Sequence, residues 1–201
     1  MSAARAVTWP LGLLALGGFA IHGGGHLQRG TAHDVLWACT MANLLIGIGL
    51  IFPQSAARVR LVAIGVLWLL VGNFTWAVDL ILGGDFFYSS LLTHVGGLLL
   101  GGLGLHRLGY PKRAWIFATA GMVLLQLLCR VVTPPAANVN VAHQVYGFYR
   151  GIYGSYLQFW VASFFQTALA YFVLDWLLSR LYRRLGRART PGARAADVAV
   201  D

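Results

Sequence analysis

The stretch that decides the fold is Ser89–His106, SSLLTHVGGLLLGGLGLH, an apolar run that contains an ionisable ring about a third of the way along. It is long enough to cross a bilayer as a helix. A histidine inside such a helix is costly unless it faces other helices and meets a polar partner. The stretch therefore predicts a membrane-spanning helix with a polar site at the level of His94.

The composition of the whole chain points to the same class. The 201 residues are 58% hydrophobic and 10% charged, with a net charge of +9. A soluble domain could not bury this much apolar surface, so the bilayer must be part of the solvent. All six acidic residues are Asp, which argues against carboxylate-rich metal cages and paired Glu catalysis. The basic residues lie in loops and a tail beside apolar segments, which indicates orientation in a membrane rather than nucleic-acid binding.

Apolar segments of spanning length predict an all-α integral membrane protein with six transmembrane helices. They cover residues 7–26, 34–53, 59–83, 88–106, 114–133 and 155–181. Of the fifteen Lys and Arg residues, only Arg29, Arg130 and Arg150 fall in the three loops on one side. This bias predicts that both termini are cytoplasmic, in a multi-pass protein of the cell membrane. We expect a transmembrane domain over residues 1–182 and a basic, disordered tail over residues 183–201.

The predicted orientation converts residue positions into depths. Thr40 in span two and His94 in span four each lie six residues, or about 9 Å, from the outer end of their helix. Asp79 near the outer end of span three and Arg130 at that of span five reach a similar depth. Asn43 shares a helical face with Thr40. These side chains are expected to form one polar layer inside the bundle.

A Thr beside a His has chemistry available. A neutral imidazole can accept the Thr40 hydroxyl proton, and the oxygen can then attack an acyl carbonyl. Asp79 can orient the His94 ring or stabilise its protonated form. Cys39 is the competing nucleophile, because adjacent helical residues point about 100° apart and only one can face the site. In the alternative interpretation, Thr40 and His94 only hydrogen-bond across helices and fix their packing.

The order of these features resembles the androgen-inducible-gene family of six-span intramembrane threonine hydrolases, which cleave fatty-acid esters of hydroxy fatty acids. The matching pieces are ACTMAN around Thr40, TWAVD ending at Asp79, LLTHVGG around His94 and HRLGYP at the end of span four. They fall within residues 34–133. The resemblance implies that Thr40 is the nucleophile and His94 its catalytic partner. The pieces HGGGH and TPPAANVNVAH depart from the family pattern, and a related six-span group is thought to use a Cys near this position.

Two further motifs carry polar side chains near the outer boundary. His22 and His26 in HGGGH have a spacing that suits a metal or haem, but three glycines weaken the helix between them and no carboxylate shares it. We therefore expect no metal or other cofactor. The loop from Thr133 to His143 carries a second polar group, and the residues expected to bind substrate are Asn43, Arg130, Asn138, Asn140 and His143. The alternative for this loop is a set of turn residues beside an interfacial aromatic belt.

The expected function is that of a membrane-embedded lipid-ester hydrolase or acyl transferase, with a Thr/His site near the outer leaflet. The alternative is a non-catalytic integral membrane subunit, either an accessory helix bundle of a larger complex or a haem or lipid binder. Expected partners are membrane lipid and either a larger membrane complex or further copies of the chain, and not nucleic acid.

Overall fold

A computed structural model describes residues 8–52, 55–84 and 86–188 of the chain. Within these residues the structure is all-helical, as predicted. The main helices are α1 (Trp9–Gln28), α2 (Ala38–Ile51), α3 (Ala56–Ile81), α4 (Tyr88–Leu108), α5 (Ala114–Val132) and α6 (Tyr156–Ala188). Short 3-10 helices cover Ala32–Leu36, Val139–Val141 and Gly147–Tyr149.

Four helices, α3 to α6, are long and apolar enough to cross a membrane, which supports a membrane protein. Helix α2 has 14 residues, about 21 Å, and is shorter than the hydrocarbon core of about 30 Å. Helix α1 has 20 residues, but His22 and His26 interrupt its apolar run. That the chain has six spans, that both termini are cytoplasmic and that the membrane is the cell membrane stay predictions.

Helix α2 begins later than the sequence pattern predicts. The first residues of the predicted span form the 3-10 helix Ala32–Leu36, and Trp37 follows in an extended conformation (φ −56°, ψ 138°). The indole of Trp37 donates to Asp34 at 3.1 Å, which holds this turn. Thr40 is therefore the third residue of its helix, and it lies closer to the helix end than the depth estimate assumed.

Helix α6 runs past its predicted end. It continues to Ala188, so residues 183–188, expected to belong to a disordered tail, are helical. An amphipathic sequence rich in Leu, Tyr and Arg extends the helix beyond the apolar segment, because these residues have moderate to good helix propensity. Residues 189–201 lie outside the described residues.

Helix α2 packs against α1, α3 and α4. Small residues permit close contact: a Cβ at Gly65 of α3 would lie 2.7 Å from the carbonyl oxygen of Ala42 in α2. Close backbone approach of this kind lets polar side chains reach across a helix interface. We call the end of the bundle that carries residues 29–37, 82–84, 86–87 and 133–155 the loop end.

Candidate functional site

His94 lies in a π-helical turn of α4. Helix α4 starts as an α-helix over Tyr88–Leu91, widens to a π-helix over Leu92–Gly96 and returns to an α-helix at Gly97. The N–H of Gly97 donates to the carbonyl of Leu92, five residues back. Single π turns inside α-helices occur frequently at functional sites. His94 is the central residue of this turn.

Two asparagines from neighbouring helices bind the π turn. Asn43 of α2 donates through Nδ2 to the carbonyl of Thr93 at 3.0 Å. Asn73 of α3 donates to the carbonyl of His94, also at 3.0 Å. A Cβ at Gly97 would collide with the Asn43 amide, so only glycine leaves room for this contact. The position of the π turn is therefore fixed from two sides.

The same Asn73 sets the orientation and tautomer of the His94 ring. Its Oδ1 lies 2.7 Å from His94 Nδ1. Because Asn73 Nδ2 donates to a carbonyl, Oδ1 is the atom that faces the ring, and an amide oxygen can only accept. Nδ1 therefore carries the hydrogen, and Nε2 of the neutral imidazole keeps a lone pair. His94 is 4% exposed, and its ring stacks on that of Trp76 with the ring centres 4.4 Å apart.

Thr40 is buried near this turn, and its hydroxyl interacts only with the adjacent Cys39 thiol and with no group on another helix. The residue is 1% exposed, and neither its Oγ1 nor Oδ1 of Asn43 has a hydrogen-bond partner on another helix. The direct bond between Thr40 and His94 expected from the sequence is thus not formed. Thr40 is one helical turn from Asn43, which contacts the neighbour of His94. The bonds that join the helices here come from the asparagines, so Thr40 does not act as a polar packing contact.

Asn43 can bind a substrate only through its side-chain oxygen. Its Nδ2 group donates to the carbonyls of Cys39 and Thr93, both at 3.0 Å. Because an amide nitrogen carries two hydrogens, no donor remains for a developing oxyanion. The expected substrate contact of Asn43 is therefore limited to a group that donates a hydrogen bond.

The expected contact between Asp79 and His94 does not form. Asp79 lies six residues beyond Asn73 on α3, about 9 Å along the axis. Its side chain is exposed at the loop end and accepts a hydrogen bond from Tyr146 at 3.3 Å. Burial and the neighbouring carboxylate raise the pKa of Tyr146, which keeps the phenol protonated as the donor. The group that orients His94 is Asn73.

The two asparagines of the long loop are engaged in holding its structure. Asn140, 7% exposed, accepts from the N–H of Ala38 at 2.9 Å and donates to the carbonyl of Leu36 at 2.7 Å. It thereby caps the first turn of α2 from a distant loop. Asn138 accepts the backbone N–H groups of His143 and Gln144, each at 3.0 Å. Both amides are therefore used within the protein.

The remaining two predicted substrate residues lie apart from the π turn. His143 contacts Thr133 through Nε2 at 3.3 Å. Arg130 donates to the carbonyl of Ala142 at 2.8 Å, and its guanidinium lies 4.9 Å from the centre of the Tyr156 ring. It lines a cleft of about 300 Å³ between α5 and α6, whose walls do not include Thr40, Asn43 or His94.

His22 and His26 form a pair that packs α1 against α4 and the first loop. Their Nε2 atoms lie 3.3 Å apart. Nδ1 of His22 contacts Ser89 at 2.9 Å, and Nδ1 of His26 contacts Thr31 at 3.0 Å. Across the part of the chain that the structure describes, no group of three or more His, Cys, Asp or Glu side chains is placed to hold a metal.

No family model, curated protein or solved structure matches the chain. The resemblance to the threonine hydrolases stays a prediction, and the functional interpretation rests on the residues themselves. Sequence reasoning missed Asn73 and Trp76. Their spacing could have indicated them, because Asn73 and Trp76 lie three residues apart on one face of α3, just before Asp79.

Proposed function

We propose that the chain is a membrane-embedded acyl hydrolase or acyl transferase that acts on lipid esters. The observation that carries the proposal is the two-point contact of Asn73 with His94, which leaves Nε2 as a hydrogen-bond acceptor. A histidine oriented by an asparagine amide is also the base of the Cys-His-Asn proteases. His94 is the proposed general base, Asn73 the positioning residue and Thr40 the nucleophile.

In the proposed reaction, Nε2 of His94 takes the proton of the Thr40 hydroxyl as Oγ1 attacks the ester carbonyl carbon. The tetrahedral intermediate collapses, and the bond to the alcohol oxygen breaks. That oxygen takes the proton from Nε2 and leaves, with the acyl group now esterified to Thr40. Attack by water then releases a fatty acid, whereas attack by a second alcohol transfers the acyl group.

Thr40 is preferred to Cys39 because of what each side chain meets. A buried hydroxyl usually has a good hydrogen-bond partner, whereas Thr40 has only the weakly accepting thiol of Cys39 beside it. Cys39 is directed at α3, where a Cβ at Gly72 would lie 3.6 Å from its own Cβ. Lipid is the proposed substrate class because four helices have spanning character, and Asn73 and His94 lie on two of them.

The test is turnover by the purified protein in detergent micelles, measured with a panel of long-chain acyl esters. The wild type is expected to hydrolyse at least one ester or to transfer its acyl group to an added alcohol. His94→Gln should lose this activity, since an amide cannot act as the base. His33→Gln is the matched control, because His33 lies in the first loop beside Asp34 and outside the π turn.

A folded wild type that acts on no ester in either assay would contradict the proposal. The non-catalytic interpretation would then be examined by co-purification from membranes. A stoichiometric partner protein would support an accessory subunit of a larger complex.

A further inference from the structure

We propose that the cleft beside Arg130 is a binding site for an anionic phospholipid, with the head-group phosphate on the guanidinium and one acyl chain along the cleft. This site is separate from the proposed catalytic layer, and the inference does not depend on the proposed function. The sequence predicted that Arg130 joins the polar layer of Thr40 and His94. The inference instead makes Arg130 the residue that binds the lipid head group.

The first support is the charge of Arg130. Its Nη1 donates to the carbonyl of Ala142 and the guanidinium also meets the Tyr156 hydroxyl; both partners are neutral, and further guanidinium hydrogens remain for other acceptors. Among the described residues no carboxylate forms an ion pair with it. The side chain is exposed two residues from the end of α5, where a basic residue lies at the level of the lipid head groups and attracts an anionic one. A phosphate can supply the negative charge through two parallel hydrogen bonds.

The second support is the rigid placement of the guanidinium. It lies over the ring of Tyr156, whose hydroxyl donates to the same carbonyl of Ala142 at 2.6 Å. Arg130 and Tyr156 thus share one acceptor, which ties α5 to the start of α6. A donor group held in position by the protein loses less entropy when it binds a ligand.

The third support is the cleft itself. Its volume of about 300 Å³ lies at the lower end of the range for small-ligand sites. Leu127, Leu157 and Trp160 contribute to its walls, and both leucines are exposed on the surface of helices that can span a membrane. Trp and Tyr side chains favour the level of lipid head groups. An acyl chain fits the apolar wall, and a head group fits the arginine.

The test is lipid retention by the purified full-length chain, measured by native mass spectrometry after exposure to mixed micelles of phosphatidylglycerol and phosphatidylcholine. The wild type is expected to retain phosphatidylglycerol in preference by about fivefold, the ratio typical of one basic residue near an anionic surface. Arg130→Gln should abolish the preference. Arg130→Lys should keep part of it, because an ammonium lacks the planar fork.

Arg150→Gln is the matched control, since it removes one exposed charge from the same end of the bundle. It should retain the lipid as the wild type does. Leu157→Trp keeps Arg130 and fills the cleft, and should reduce retention of both lipids. Equal retention of the two lipids by the wild type, or equal loss of the preference in Arg130→Gln and Arg150→Gln, would overturn the inference. A thermal melt of each variant shows that it is folded.

Discussion

Asn73 contacts His94 at two points: its nitrogen lies 3.0 Å from the carbonyl oxygen and its oxygen lies 2.7 Å from Nδ1. One side chain of α3 therefore fixes both the backbone of the π turn in α4 and the ring it carries. The bond to the carbonyl serves stability, and the bond to the ring serves orientation. The two roles have different experimental signatures.

Asn73→Leu removes both bonds and keeps the number and branching of the side-chain heavy atoms. We expect the free energy of unfolding to fall by about 1 kcal/mol, since interhelical hydrogen bonds in membranes average about 0.6 kcal/mol each. Turnover should fall by about 10²-fold or more, because the ring loses its tautomer and orientation. Thr75→Val is the control, since the Thr75 hydroxyl bonds only to its own helix. A folded Asn73→Leu variant with wild-type turnover would remove Asn73 from the site.

Thr40→Val should separate chemistry from packing. Because the hydroxyl bonds to no group on another helix, its loss should leave the melting temperature unchanged or raise it slightly. It should also abolish turnover, since the attacking oxygen is gone. Thr119→Val is the control: the Thr119 hydroxyl bonds only to the carbonyl of Trp115 in its own helix, at 2.8 Å, so this variant should keep both its turnover and its stability. A Thr40→Val variant that is destabilised and still active would support a packing role.

Gly97→Ala should damage the site through a single methyl group. The added Cβ would meet the Asn43 amide and push it from the carbonyl of Thr93. We expect a loss of about 1–3 kcal/mol in the free energy of unfolding, as for other overpacked cores. Gly102→Ala on the same helix is the control, because its Cβ would lie 3.7 Å from Tyr182. If both variants unfold at the same temperature, the close contact at Gly97 is not required.

Asn140→Gly tests whether this residue caps α2 or binds substrate. Glycine accepts the left-handed backbone of Asn140 (φ 50°) and removes only the amide. Losing the bonds to Ala38 and Leu36 should cost about 1 kcal/mol each and loosen the turn before Thr40. The melting temperature should therefore fall while KM is unchanged. A rise in KM without any loss of stability would restore the substrate-binding interpretation.

The sequence supports the helical membrane class well, because length and hydropathy alone decide it. It also places His94 inside the bundle, since an ionisable group in an apolar helix avoids lipid. The partner of His94 was harder to identify. Asp79 is the charged residue nearest in depth, but a carboxylate is costly to bury and stays exposed at the helix end. The neutral amide of Asn73 takes the buried position at lower cost.

The π turn and the start of α2 could not be read from periodicity. Both depend on side chains distant in sequence: Asn43 and Asn73 for the turn, and Asn140 for the first N–H of α2. Hydrophobic spacing reports which face of a helix is buried and does not identify the polar group that meets it. The inward position of the Asn138 and Asn140 side chains is likewise set by their hydrogen bonds within the protein, which hydrophobic spacing does not predict.

The central claim is that Thr40 carries the acyl group, and trapping the acyl-enzyme tests it most directly. The purified chain would be reacted with an activated long-chain ester, digested and examined by tandem mass spectrometry. We predict an acyl mass increase on Thr40 that survives neutral hydroxylamine, as an oxygen ester does, and that is absent in His94→Gln. An adduct on Cys39 that hydroxylamine removes, or no adduct on either residue, would contradict the account.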